Sequence, residues 1–91
     1  MATIEQTFSL INKVGLHARP ASLLVQTAAR FSSSVSLTAN GRSADAKRIL
    51  QVLQMGAEYG AAVTVHAEGD DAAAAVEAIG ALILQRFNEP E

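Results

Sequence analysis

The sequence predicts an α+β protein: an open-faced β-sandwich in which a four-stranded antiparallel sheet is covered on one side by three helices. Three observations lead there. The hydrophobic period switches repeatedly between two and three-to-four residues, in the order β-α-β-β-α-β-α. Each strand-like segment has one polar parity, as a sheet with one wet face requires. Each longer helical segment carries an apolar stripe that must be buried against a partner layer.

In chain order, Thr3 to Ile11 reads as the first strand, with Ile4, Phe8 and Leu10 on one parity and Gln6 as the exception. Asn12-Lys13-Val14-Gly15 is a turn. From Ala18 or Arg19 to about Arg30 the spacing of Ala21, Leu24, Val25 and Ala28 is helical, and Ser32-Ser33-Ser34 breaks it. Val35, Leu37 and Ala39 alternate with Ser36 and Thr38 in a second strand. Asn40-Gly41 then marks a tight hairpin, and Arg42 to Ala44 returns as a short third strand. Asp45 is placed to cap a helix from Ala46 to about Met55, with Gly56 to end it. Ala61 to Ala67 forms the last strand, Val63, Val65 and Ala67 facing in and Thr64 and His66 facing out. Gly69-Asp70-Asp71 supplies a turn and an N-cap, and a final helix carries Ala72, Val76, Ile79 and Ile83 to an end near Phe87.

The 91 residues suit one domain, 1–91, without internal repeat or low-complexity linker. With no cysteine, disulfides, thiolate metal sites and thiol nucleophiles are excluded, and a reducing compartment is suggested. The N-terminus lacks the basic and apolar regions of a signal peptide, and no apolar run is long enough for a membrane span; the expectation is a cytoplasmic protein without membrane insertion. Six of the seven bases (Lys13, Arg19, Arg30, Arg42, Lys47 and Arg48) lie in residues 1–48, and seven of the nine acids in residues 49–91. A basic face that attracts an acidic protein is one consequence. Nucleic acid is not the expected partner, because the bases are scattered and not interleaved with aromatics.

The chemistry concentrates in Gly15-Leu16-His17-Ala18-Arg19-Pro20-Ala21. Proline is tolerated in a first helical turn, where the N–H groups lack intrahelical partners. His17 is thereby placed at or beside an N-cap, with the N–H groups of Ala18 and Arg19 unpaired. Free N–H groups and the positive end of the helix dipole stabilise an anion there, and Arg19 can add a charge-assisted contact to phosphoryl oxygens. A histidine is a competent nucleophile at neutral pH, so this constellation suits a phosphorylated imidazole with no metal and no cofactor.

The same heptad resembles the active-site signature of the histidine-containing phosphocarrier (HPr) family of the bacterial phosphoenolpyruvate:sugar phosphotransferase system. Asn40-Gly41-Arg42-Ser43-Ala44-Asp45-Ala46-Lys47 resembles the family's hairpin and second-helix start, and Gly60 through Glu68-Gly69 its last strand. The resemblance implies that His17 accepts a phosphoryl group on Nδ1 from phosphorylated enzyme I and donates it to the A domains of enzymes II for sugar uptake. Arg19 and the backbone of Ala18 and Arg19 would hold the phosphoryl group. The protein would be a phosphoryl-transfer carrier rather than a stand-alone enzyme. Docking on the first two helices would involve Ser22, Leu23, Ile49, Leu50 and Leu53, which together would give an apolar patch beside the basic Arg19, Lys47 and Arg48. A monomer is expected of such a shuttle.

Arg48 stands where many members from Gram-positive bacteria carry a regulatory serine, and arginine cannot accept a phosphoryl ester. Two other readings are carried. One is the carrier of the nitrogen-related phosphotransferase branch, which Asn12-Lys13-Val14-Gly15 somewhat resembles. The other is a non-catalytic regulatory interaction module on the same fold, whose representatives lack the histidine. His66 is read as a surface residue of the last strand, and Asp70 and Asp71 as a helix cap rather than a cation site.

Overall fold

The structure, a computed structural model, describes residues 2–89. Four strands, β1 (Ala2–Ser9), β2 (Ser34–Ala39), β3 (Arg42–Asp45) and β4 (Ala62–Gly69), form one antiparallel sheet in the order β1-β4-β2-β3. Helices α1 (Ala18–Ala28), α2 (Ile49–Gln54) and α3 (Ala72–Leu84) lie on one of its faces, and a short 3₁₀ turn follows at Arg86–Asn88.

Alternation in the central strands builds the core. Val63, Val65 and Ala67 of β4 and Val35, Leu37 and Ala39 of β2 are buried, with Leu37 paired across from Val65. On β1, an edge strand, Ile4 and Phe8 are half-buried, whereas Gln6, the polar exception on their parity, is exposed. The opposite face of the sheet is wet and carries cross-strand polar pairs. The hydroxyls of Thr7 and Thr64 are 2.8 Å apart, Thr3 donates to Glu68 at 3.3 Å, and His66 Nδ1 lies 3.4 Å from Glu5 Oε1. Such pairs stabilise the sheet by about 0.2–1 kcal/mol each.

The helices add their stripes. Pro20, Ala21, Leu24 and Ala28 of α1 and Ala72, Ala75, Val76, Ile79 and Ile83 of α3 are buried. A glycine inside a helix costs about 1 kcal/mol relative to alanine. Gly80 in α3 has a packing reason, since a Cβ there would lie 2.4 Å from Cζ of Phe8. The β2–β3 hairpin turns through Asn40 and Gly41, both at positive φ, +55° and +73°, as a type I′ turn requires.

Three expectations are corrected. The second helix begins at Ile49 with Arg48 at its N-cap, not at Ala46 capped by Asp45. Asp45 still belongs to β3, and its carboxylate accepts from the Lys47 N–H at 2.9 Å while its carbonyl accepts from Arg48 at 3.0 Å. Asp45 closes a turn, and the helix can start only after it. Asp71 does precede α3, but its carboxylate makes no bond to that helix; it accepts the N–H and hydroxyl groups of Ser32 and Ser33. The last helix ends at Leu84, because Arg86, Phe87 and Asn88 all take positive φ. Phe87 nevertheless reaches full burial through that turn.

Candidate active site at the start of the first helix

The segment that delivers His17 is held by its neighbour, the stretch between α2 and β4. Leu10 N–H donates to Ala61 O at 2.9 Å, Gly60 N–H to Leu10 O at 2.8 Å, and Leu16 N–H to Ala57 O at 2.9 Å. Gly15 sits between these contacts with φ +65°, and a Cβ there would meet Ala57 O and Glu58 Cα at 2.6 Å. Only glycine fits, on both steric and conformational grounds. Leu16, buried beside it, anchors the residue immediately before the histidine.

His17 is the N-cap of α1, in extended conformation (φ −77°, ψ −173°). Its carbonyl accepts the Ala21 N–H at 2.9 Å, the first bond of the helix, while its imidazole makes no capping bond and is exposed. Pro20 has no N–H to leave unpaired. The Ala18 and Arg19 N–H groups therefore remain, and among the described residues neither has a protein acceptor. Arg19 is exposed, with no hydrogen bond or ion pair among the described residues. An exposed imidazole, two N–H groups at the positive end of a helix and a guanidinium two residues on are groups of the kind that bind an anion.

The surface beside His17 is an open cleft of about 210 Å³, lined by Leu16, His17, Ala18, Leu53, Gly56, Ala57 and Glu58. Leu53 brings α2 to the edge of the cleft, whereas Arg19 does not line it. Glu58 supplies a carboxylate that composition and spacing did not single out. Among the described residues no group of three His, Cys, Asp or Glu side chains could hold a metal ion, and no helix is long and apolar enough to cross a membrane.

The other candidate residues divide. Ile49 and Leu50 are exposed, Leu50 to 69%, and Ser22, Leu23 and Leu53 are half-buried. The basic set is not one patch beside Arg19. Lys47 Nζ donates to Phe31 O at 2.8 Å, beyond the far end of α1, which at 11 residues is about 16 Å long. Arg48 Nε lies 3.5 Å from Asp45 Oδ2 in an exposed ion pair. His66 is half-buried on the wet face of the sheet, away from α1.

Sequence reasoning passed over Asn12, which read as an ordinary turn residue. It is fully buried, and its Nδ2 donates to Gly15 O at 2.8 Å. Its only signal was a polar residue directly after the apolar pair Leu10-Ile11.

Comparison with known proteins follows the geometry. Residues 4–85 match the family described as PTS HPr component phosphorylation site. The chain is 42% identical to the phosphocarrier protein HPr of Cupriavidus necator, covering 97% of this chain and 99% of that one. It is 38% identical to the phosphocarrier protein HPr of Xylella fastidiosa, over 94% and 97% respectively. Among solved structures, HPr-C-His from Thermoanaerobacter tengcongensis matches with a TM-score of 0.93 at 41% identity, covering 97% of this chain and 99% of that one.

Proposed function

Because the chain belongs to the HPr phosphocarrier family, we propose that it takes a phosphoryl group on His17 from phosphorylated enzyme I and passes it to enzyme II A domains serving sugar uptake. The observation that carries this is the helix start itself: an exposed imidazole at an N-cap that caps nothing, ahead of two N–H groups without protein partners.

The transfer balances as an exchange between two imidazoles. The Nδ1 lone pair of neutral His17 forms a bond to phosphorus as the donor's N–P bond breaks, and that electron pair returns to the donor ring. Each ring keeps the proton on its other nitrogen. The incoming phosphoryl oxygens face the N–H groups of Ala18 and Arg19 and the positive end of α1, while the Arg19 guanidinium folds over them. Passing the group on is the same exchange in reverse, so the helix start must bind the phosphoryl group without trapping it. Its openness to solvent serves that need.

On this reading the protein is a cytoplasmic, monomeric shuttle. Leu50, Ile49 and Leu53 offer partners an apolar shelf, with Ser22 and Leu23 beside it on α1, and Arg48, paired with Asp45, stands at its margin. Complementary acidic partner surfaces would raise the encounter rate more than the affinity.

The test is the intact mass after incubation with enzyme I, magnesium and phosphoenolpyruvate. One added phosphoryl group, removed by brief acid treatment and absent in His17→Ala, is the expected result. No gain with several enzyme I sources would overturn the reading in favour of a non-catalytic interaction module. Offering the phosphorylated protein to A domains from the sugar and nitrogen-related branches then decides the acceptor.

A further inference from the structure

Asn12 lies five positions before His17 and is fully buried. Its Nδ2 donates both to Gly15 O at 2.8 Å and to Glu89 Oε1 at 2.9 Å. A carbonyl and a carboxylate can only accept, so the orientation of the amide is fixed by its partners. Oδ1 consequently points elsewhere, buried and, among the described residues, without a partner. An orphaned buried acceptor is unfavourable, and a small apolar residue at this position would not incur it.

What the amide does locally is hold the peptide that precedes the reactive residue. Asn12 O accepts the Gly15 N–H at 3.2 Å while its side chain takes Gly15 O, so Gly15 is gripped at both ends by one residue. Gly15 is wedged on the Ala57–Glu58 backbone, Leu16 is bonded to Ala57, and His17 follows directly. On the other side of the amide stands Glu89, which the left-handed turn at Arg86–Asn88 and the buried Phe87 bring back to the loop. The two residues are 77 positions apart.

We propose that Asn12 is a positioning residue for phosphoryl transfer, acting through Gly15 and Leu16 to fix where His17 stands at the start of α1, with Glu89 as its buttress. The inference rests on the carrier reading above. It adds that the C-terminal segment is coupled to the reactive imidazole, though neither Asn12 nor Glu89 touches it.

The experiment compares wild type, Asn12→Ala, Glu89→Ala and Glu89→Gln. It measures steady-state phosphorylation by enzyme I and phosphoenolpyruvate, melting temperature, and nitrogen NMR of the His17 ring and the 15–19 backbone amides. Asn12→Ala is expected to lower kcat/KM roughly 10- to 100-fold, as loss of a buried supporting contact does. The fall should lie in kcat, since the α2 docking residues are untouched, and the His17 ring and Ala18 amide signals should shift. Glu89→Ala should give a smaller loss of the same kind, and Glu89→Gln, which keeps an accepting oxygen, should recover most of it. A lower melting temperature with unchanged kcat and unchanged His17 and Ala18 signals would overturn the proposal, as would an effect confined to KM. Should Asn12→Ala fail to fold, Glu89→Ala carries the decision, and a wild-type kcat in that variant overturns the coupling. Wild-type protein that takes no phosphoryl group would overturn the carrier reading and this role with it; a defect seen beside active wild type cannot arise that way.

Discussion

Helices α1 and α3 begin with His17 and Asp71 at the N-cap, and neither side chain caps its own helix. They differ in everything else. The Asp71 carboxylate accepts from the Ser32 N–H at 2.9 Å, the Ser33 N–H at 2.9 Å and both serine hydroxyls, tying the loop after α1 to the start of α3. The Ser33 hydroxyl foremost, then the Ser32 N–H, lowers its pKa from the ordinary 3.8 to about 2. His17 has no side-chain partner in its N-cap position. The contrast teaches that a charged group built into the fold collects donors from distant sequence, whereas the imidazole proposed above for exchange makes no bond to its own helix.

The largest expected effect breaks the comparison on the α1 side. His17→Ala should abolish phosphoryl acceptance, while melting stays within about 0.5 kcal/mol of wild type, as for other surface substitutions. A clearly destabilised variant would make His17 a structural cap after all. Arg19→Ala would remove the charge-assisted contact proposed for the phosphoryl group, of a kind worth about 1.5–3 kcal/mol, so transfer should slow about 10- to 100-fold with little change in melting temperature. Rate constants from rapid-quench phosphorylation check this, and an unchanged rate would leave the two backbone N–H groups as the phosphoryl site.

On the α3 side, Asp71→Asn replaces an acceptor of four donors with a group that must turn an NH₂ toward two of them, the N–H and hydroxyl of one serine. Its melting temperature should fall at pH 7 while transfer is unaffected. The sign with pH follows from the direction of the shift. A carboxylate whose folded pKa is depressed contributes stability above its unfolded value of 3.8, and loses it as pH falls toward about 2. The gap between wild type and Asp71→Asn should therefore close between pH 4 and pH 2, and a constant gap in thermal melts would contradict the role given to the ionised form. The smallest effect belongs to α2. Arg48→Ala breaks an exposed ion pair with Asp45 and should change stability by less than about 0.5 kcal/mol, with any change in transfer appearing as a salt-dependent KM for enzyme I.

The parts of the fold legible in the sequence are those governed by near neighbours. Alternation marked β2 and β4, three- and four-residue spacing marked α1 and α3, and Asn40-Gly41 marked the hairpin, because each pattern is set within a few residues. The place of His17 at the start of α1 was legible for the same reason, since Gly15, Pro20 and the switch of period all lie within one short stretch. The rest depended on partners far along the chain. Nothing near Asp71 announces that Ser33, 38 positions earlier, will take its carboxylate, and nothing near Asn12 announces Glu89. The start of α2 was misplaced because Asp45 is also a strand residue paired with Ser36, and a cap motif carries no record of sheet pairing. The apolar character of Phe87 was visible, but not the three positive φ values that carry it inward.

The exposure of His17 on a single face has a consequence for traffic. On the function proposed above, donor and acceptor would reach the same nitrogen across the same shelf of α2, so the protein would host one visitor at a time, and each would leave before the next arrives. Throughput is then limited by residence time, and tight docking becomes a disadvantage. With an association rate of about 10⁶ M⁻¹s⁻¹ and a dissociation constant of about 10 μM, a partner departs at roughly 10 s⁻¹, close to the turnover of an ordinary enzyme. Docking ten times tighter through slower departure would throttle the relay about tenfold, so a shelf as small as Ile49, Leu50 and Leu53 suits a relay in which partners must part quickly.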